Sequence, residues 1–325
     1  MKKDSRIYVA GHTGLVGSAI VRELKRKGYT NVMGYRVDLT NRYPTYELFN
    51  DFLPEYVFNA AAHAGGIMEA ITKPAEMLLD NLLIQANLTE MCKEFGVKKF
   101  LNIGSSCIYP VDAEQPYREE QLGTGKTDEN WSYAVAKLAG IELCRAYHKQ
   151  YGCNFMTAIP CNLYGPNDNF GDNGHVIPML IRKVAEYNGE PIEVWGNGTA
   201  CREFLYVDDF AECAVMLMES YDYSDLYDGV INVGYGTQVL ISSLLALIVG
   251  VAANKDVDFF YTQNKPSGVA SKLMDSSRIM DLGWNLEDDD YWDEEYPSWE
   301  PKTSLQEGIK KTYEWYKNST SNQSG

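Results

Sequence analysis

The chain has 325 residues, of which 45 are acidic and 29 basic, so its formal net charge is −16 at pH 7. This negative charge opposes binding to nucleic acid and to anionic membrane surfaces, and we expect neither as a partner. The seven cysteines form no CxxC pair and are odd in number, which favours a cytoplasmic location over a disulfide framework or a zinc site. The polar N-terminus predicts no signal peptide. The most apolar segment, 239–253, is too short to cross a bilayer and predicts a buried helix.

The first predicted elements are a buried strand at 6–10 and an amphipathic helix at 18–28, with a glycine-rich turn between them. In a dinucleotide-binding unit the first glycine permits the tight turn, the second lets the backbone approach a pyrophosphate, and the third lets the helix pack on the strand. The spacing here is GxxGxxG. We predict that the turn contacts a dinucleotide through Gly11, Thr13, Gly14, Leu15, Val16 and Gly17.

The end of the second predicted strand, 31–35, bears on the choice of coenzyme. An acidic residue there would bind the ribose 2′-hydroxyl of NAD, but the next residue is Arg36, which suits a 2′-phosphate. Asp38 follows two residues later and leaves NAD open. We therefore predict NADP, with Arg36 and Asp38 near the ribose.

Strands and helices then alternate, which predicts an α/β fold: a Rossmann-type doubly wound parallel sheet with ligands at the carboxyl ends of its strands. We predict further strands at 56–60, 99–103 and 154–160, and helices at 74–95 and 132–151.

This alternation breaks up after residue 160, in a loop that contains Asn162, Asp168 and His175 and is followed by a predicted helix at 176–186. We predict a smaller C-terminal α/β substrate lobe here. The segment 286–300 holds eight acidic residues and several aromatic ones, and predicts a solvated surface loop. The predicted division is a dinucleotide-binding domain at 1–160 to which some later segments return, a substrate lobe at 161–317, and a polar tail at 318–325.

The central chemical motif is Tyr133-x-x-x-Lys137 at the start of the helix predicted at 132–151. Residues four apart lie on one helix face, so the ammonium can sit beside the phenol, favour its ionised form and lower its pKa. Ser105 follows the strand at 99–103 and supplies a hydroxyl at the same edge of the sheet. Together the three residues predict a proton-transfer site.

These motifs resemble the extended short-chain dehydrogenase/reductase superfamily and, within it, the GDP-L-fucose synthase family. The resemblance is carried by GSSCIYP at 104–110, YAVAKLAG at 133–140 and NLYGPNDNF at 162–170, and extends over most of residues 6–283. It implies an NADPH-dependent 3,5-epimerase and 4-reductase acting on GDP-4-keto-6-deoxy-D-mannose. The implied catalytic residues are Ser105 and Tyr133 on the C4 oxygen, Lys137 on the tyrosine and the nicotinamide ribose, and Cys107 and His175 for epimerisation.

The resemblance also implies ligand contacts and an assembly. Further cofactor contacts are Tyr133, Lys137, Ala60, Ala62, Pro160, Asn162 and Leu163, and the GDP-sugar contacts are Asn162, His175, Val176, Lys183, Trp195, Arg202 and Lys272. The family usually forms homodimers through helices equivalent to 74–95 and 132–151, so we expect a homodimer.

The sequence departs from the family at four places. Thr13 stands where an arginine or lysine is common, Lys183 replaces an arginine, His63 lies in an unusual AAHAGGI run, and residues 285–301 are lengthened. We interpret His63 as a core or wall histidine. Two alternatives stay open: a reductase or C4 epimerase of a related nucleotide sugar, such as a dideoxyhexose or heptose, and a non-catalytic dinucleotide-binding sensor. The intact tyrosine, lysine and serine set argues against the sensor.

Overall fold

The computed structural model describes residues 1–127, 131–253, 256–263, 268–282 and 297–321. Within these ranges, no helix combines the length and apolar character needed to cross a membrane.

The main sheet has six parallel strands in the order β2-β1-β3-β4-β5-β9. Its strands are β1 Ile7–Ala10, β2 Val32–Met33, β3 Tyr56–Asn59, β4 Lys99–Ile103, β5 Phe155–Pro160 and β9 Val230–Val233. The strand order reverses between β1 and β3, which opens a ligand crevice at the carboxyl edge. The Rossmann-type parallel sheet predicted from the sequence is confirmed.

Helices cover both faces of this sheet. They are α1 Leu15–Arg26, α2 Arg42–Phe52, α3 Ile67–Thr72, α4 Pro74–Glu94, α5 Trp131–Tyr151 and α7 Val207–Ser220. On one face α1 and α7 pack over Ile7 and Val9, and on the other α2, α4 and α5 pack over Tyr8. Successive side chains of β1 therefore pack into two different cores, as expected of a strand that is buried on both faces.

A second group of elements packs around its own core, which contains Ile181, Phe204 and Leu245. Strand β8 pairs with β6, β10 and β12, and β7 pairs with β11. These elements are β6 Asn162–Tyr164, α6 Val176–Ala185, β7 Ile192–Trp195, β8 Cys201–Tyr206, β10 Gln238–Leu240, α8 Ile241–Val251, β11 Phe259–Thr262, β12 Ser271–Lys272, α9 Ser277–Asp281 and α10 Leu305–Ser321.

Several predicted boundaries differ from the observed ones. Helix α1 starts at Leu15, three residues before the predicted start, because the second glycine of the turn already caps it. Helix α10 continues to Ser321 and so includes the first four residues of the predicted polar tail. The apolar segment 239–253 divides between β10 and α8. Most of the acidic insertion lies outside the described residues, but Trp299 is buried and donates a hydrogen bond to the Asp209 carbonyl, 3.2 Å away.

Candidate active site

A cleft of about 470 Å³ lies at the carboxyl edge of the main sheet, where it meets the second group of elements. Its walls come from the ends of β3, β4 and β5, from the starts of α1 and α5, and from β6, α6, β8 and β12. Sixteen of the residues predicted for the site line it: Gly14, Leu15, Val16, Ala60, Ala62, Ser105, Cys107, Tyr133, Lys137, Pro160, Asn162, Leu163, His175, Val176, Arg202 and Lys272.

The glycine turn brings the start of α1 into this cleft. Gly11 has φ of +74°, and a Cβ atom there would lie 2.7 Å from the Ala60 carbonyl oxygen. A Cβ atom on Gly17 would lie 2.2 Å from the Gly11 oxygen, so α1 can pack this closely only on a glycine. Gly14 caps α1 without a side-chain hydrogen bond, which leaves the first N–H groups of the helix to an outside acceptor. This cradle fits the pyrophosphate of a dinucleotide.

Lys137 is 3% exposed, and its Nζ donates a 2.7 Å hydrogen bond to the carbonyl oxygen of Ile103 at the end of β4. Burial lowers the pKa of this ammonium from 10.5 to about 8, while the nearby Cys107 thiol acts in the opposite direction. No pattern in the sequence indicates that a β4 carbonyl would hold the lysine.

Tyr133 lies one turn before Lys137, whose Nζ is 5.6 Å from the centre of the phenol ring. Burial, and then Cys107, raise the pKa of Tyr133 above its usual value. The predicted lowering of this pKa by the lysine is therefore absent from this structure, where the cost of removing the phenolate from water dominates.

Ser105 and Cys107 lie just beyond β4, where a short 3₁₀ helix, Ser106–Ile108, begins. The Ser105 Oγ accepts a 3.5 Å hydrogen bond from the Cys107 N–H, so the serine caps the turn that places the thiol. Cys107 is 7% exposed. It lies close enough to Lys137 and Tyr133 to affect the pKa of both.

His175 caps the start of α6, and its side chain is 57% exposed. Its Nδ1 lies 3.8 Å from the Oδ1 of Asp168, whose side chain is only 4% exposed. This carboxylate raises the pKa of His175. The Asp168 Oδ2 is buried and has no hydrogen-bond partner among the described residues, an arrangement that costs folding free energy. No role was predicted for Asp168 from the sequence, although it lies in the NLYGPNDNF motif at 162–170.

Two cations face each other across neighbouring strands. Arg202 on β8 is the register partner of Lys272 on β12, so both basic side chains reach one side of the cleft. They supply local positive charge in an otherwise acidic chain. Asn162 is held nearby by a 2.8 Å hydrogen bond from its Nδ2 to the Glu203 carbonyl.

Other predicted contacts lie outside the cleft lining. Thr13, Arg36 and Asp38 are exposed near the ends of β1 and β2. Lys183 Nζ instead donates a 3.0 Å hydrogen bond to the Glu193 carbonyl, and burial lowers its pKa. Trp195 Nε1 donates to the Glu193 carboxylate at 3.3 Å.

A glycine-started helix at the carboxyl edge of a parallel sheet, with a serine, a tyrosine and a buried lysine beside it, defines a dinucleotide-dependent oxidoreductase site. The model of the NAD-dependent epimerase/dehydratase family matches residues 7–234. The chain is 43% identical to GDP-L-fucose synthase 1 of Arabidopsis thaliana, over 97% of this chain and 94% of that protein.

Two solved structures share the whole architecture. A GDP-6-OMe-4-keto-L-xylo-heptose reductase from Campylobacter jejuni has a TM-score of 0.89 at 30% identity and covers 98% of this chain and 99% of its own. A GDP-L-fucose synthetase from Naegleria fowleri bound to NADP has a TM-score of 0.83 at 27% identity and covers 99% of this chain and 96% of its own. The chain belongs to the NAD-dependent epimerase/dehydratase family of enzymes and, within it, to the GDP-L-fucose synthases. The resemblance inferred from the motifs is confirmed.

Proposed function

We propose that the protein is a bifunctional NADPH-dependent enzyme that epimerises C3 and C5 of GDP-4-keto-6-deoxy-D-mannose and reduces C4, producing GDP-L-fucose. The observation that carries this proposal is the presence of two sets of catalytic groups in one cleft. Ser105, Tyr133 and Lys137 suit chemistry at a carbonyl oxygen, and Cys107 and His175 suit proton exchange at carbon.

Epimerisation uses the acidity that a C4 ketone gives to the protons on C3 and C5. The Cys107 thiolate removes a proton, and Ser105 and Tyr133 donate hydrogen bonds to the enolate oxygen. His175 then returns a proton on the opposite face, which inverts the centre. The neighbouring Asp168 favours the imidazolium form that this step needs.

Reduction follows at the same carbonyl. NADPH, when bound, supplies the hydride to C4. Tyr133 protonates the resulting alkoxide, a role that suits a phenol whose pKa is raised by burial. The Lys137 ammonium balances the charge and is fixed by its hydrogen bond to Ile103.

The coenzyme assignment to NADP has support from the loop after β2. Asp38 accepts hydrogen bonds from the backbone N–H of Thr40, at 3.0 Å, and from its hydroxyl, at 2.6 Å, so the carboxylate is engaged within its own turn. The exposed Arg36 guanidinium makes no ion pair with another described residue and suits a 2′-phosphate. The solved relative from Naegleria fowleri, which is bound to NADP, supports the same choice.

The guanosine diphosphate is assigned to the cationic side of the cleft. Arg202 and Lys272 neutralise the diphosphate, and Asn162 contacts the sugar or the diphosphate. Trp195 and Lys183 lie beyond the lining on β7 and α6, where the guanosine end would extend.

The test separates the two reactions. In deuterium oxide without NADPH, the unmodified enzyme should incorporate deuterium at C3 and C5 of the ketone, as measured by NMR, and NADPH should then yield GDP-L-fucose. Cys107→Ser replaces the thiol by a hydroxyl that is too weakly acidic to act at neutral pH. This variant should lose most deuterium incorporation and still reduce an already epimerised ketone. Full incorporation by the serine variant would show that another base acts.

The second candidate is a C4 reductase of a related GDP-sugar that does not epimerise it. The heptose reductase of similar architecture favours this reading, because the Ser105, Tyr133 and Lys137 set alone suffices for reduction. Reduction without any deuterium incorporation by the unmodified enzyme would establish it.

We also propose a cytoplasmic homodimer formed through α4 and α5, which pack on each other and leave Leu79 of α4 57% exposed. Sedimentation velocity at micromolar concentration tests the dimer, and a monomer would refute it.

A further inference from the structure

His63 is held at four points on the segment that follows β3. Its backbone N–H donates to Asn81 Oδ1 at 3.0 Å, and its carbonyl accepts from Asn81 Nδ2 at 2.9 Å. Its ring Nδ1 lies 2.8 Å from the Asp80 carboxylate, and its Nε2 lies 3.1 Å from the Glu69 carboxylate. The histidine therefore ties its own segment to both α3 and α4, which is more than a wall residue needs.

The geometry of the ring requires a positive charge. Each ring nitrogen lies within hydrogen-bond distance of a carboxylate oxygen, and the two hydrogen bonds can form together only when both nitrogens carry a proton. The pKa of His63 is raised mainly by Glu69, with Asp80 adding to the effect and burial opposing it. Lys73 at the end of α3 also faces Glu69, at 3.8 Å, and is the other cation in this cluster.

The segment that His63 fixes is a wall of the active-site cleft. Its neighbours Ala62, Ala64 and Gly65 line the cleft, and His63 lies behind them. A Cβ atom on Gly65 would lie 2.1 Å from the Glu69 carboxylate, so this anion packs directly against the wall.

The wall in turn supports the loop that carries His175. The N–H of Gly66, the residue that caps α3, donates a 2.7 Å hydrogen bond to the carbonyl of Asn173. A Cβ atom on Gly66 would lie 3.0 Å from the carbonyl oxygens of both Asn173 and Gly174, so the two segments are in close contact. His175 follows directly and is the exposed cap of α6.

We propose that cationic His63 is a positioning residue that clasps Glu69 and Asp80 and thereby fixes the 62–67 wall and, through Gly66 and Asn173, the position of His175. The clasp is complete below the ordinary pKa of histidine. It is lost as the pH rises through the raised pKa, because a neutral ring can donate only one of the two hydrogen bonds. The effect on catalysis rests on the proposed function, whereas the clasp itself does not.

The clasp is tested by amide hydrogen exchange of peptides covering 62–67 and 170–175, measured by mass spectrometry at about pH 6 and about pH 9. At the lower pH, the amides of these peptides should exchange on the order of tenfold faster in the His63→Gln variant than in the unmodified protein. At the higher pH, the exchange rates of the two proteins should become equal. His63→Lys keeps a cation at both pH values and should retain protection at both. Lys73→Gln is the matched control, because it removes the exposed cation that pairs with the same Glu69 carboxylate. It should change the amide exchange rates little. Equal protection in the glutamine variant at the lower pH would overturn the proposal.

The positioning role is tested by the two activities separately. Because His175 serves exchange at carbon and not the C4 oxygen, His63→Gln should slow deuterium incorporation by about tenfold or more near pH 6 and affect reduction of an epimerised ketone far less. His63→Lys should restore incorporation. Equal losses in both activities would indicate a general structural effect and refute the positioning role. Absence of deuterium incorporation by the unmodified enzyme would instead refute the proposed epimerase activity. The amide hydrogen-exchange test of the clasp does not depend on that activity and would still hold.

Discussion

Replacing Lys137 by methionine should abolish reduction and leave the fold as stable as before or more stable. The ammonium is buried, and a pKa lowered from 10.5 to about 8 corresponds to about 3 kcal/mol of unfavourable folding free energy. Methionine removes this cost but leaves the Ile103 carbonyl without the lysine donor, which costs about 1–3 kcal/mol. The net free energy of unfolding should therefore rise by between zero and about 2 kcal/mol.

Urea unfolding measures this difference, and its pH dependence is a further check. Because the pKa is lower in the folded than in the unfolded protein, the cost is fully present below about pH 8 and disappears as the pH rises towards 10.5. Any advantage of the methionine variant at about pH 7 should shrink by about pH 9.5. Lys149→Met, an exposed position on the same helix, should show no such change. A methionine variant less stable by more than about 2 kcal/mol, or a difference independent of pH, would refute the reasoning.

Three further outcomes are expected. Tyr133→Phe should bind NADPH normally, as measured by fluorescence titration, but reduce the ketone about 10²–10⁴-fold more slowly, because the proton donor to the alkoxide is gone; near-normal reduction would contradict the assignment. Arg36→Ala should raise the KM for NADPH and leave that for NADH nearly unchanged, and equal KM values in the unmodified enzyme would show that Arg36 does not reach the 2′-phosphate. Asp168→Asn should move the alkaline limb of the pH profile of deuterium incorporation to lower pH, because the carboxylate raises the pKa of His175; an unshifted limb would exclude this coupling.

The parts of the fold that the sequence predicted are those in which local pattern and long-range packing agree. Strand β1 is a continuous apolar run, and Gly11 and Gly17 are required by close backbone contacts that no other residue permits. The Tyr133 and Lys137 pair follows from helical spacing alone. Helix α2 was missed, because its apolar residues are few and Pro44 near its start resembles a loop signal.

What the sequence could not predict depends on contacts between distant segments. Asp168 becomes a partner of His175 only after the intervening loop folds back, and the two carboxylates around His63 come from separate helices. The direction of the Tyr133 pKa was predicted wrongly because spacing indicates the attraction between charges but not the cost of burying them. The hydrogen bond from Lys183 to the Glu193 carbonyl likewise depends on how β7 lies beside α6.

The groups proposed for reduction and His175, proposed for epimerisation, are held in different ways, and this difference bears on how the proposed reaction can vary. Ser105 directly follows β4, a buried strand of the main sheet, and Tyr133 and Lys137 stand on the first two turns of α5, which packs against that sheet. His175 stands at a helix cap in an exposed loop, near Asp168 and next to the hydrogen bond from Gly66 to the Asn173 carbonyl. Changes in that loop can therefore remove proton exchange at carbon while the carbonyl chemistry persists. Such changes would turn an epimerase and reductase into a reductase on an unaltered scaffold, in keeping with the architecture shared with a heptose reductase.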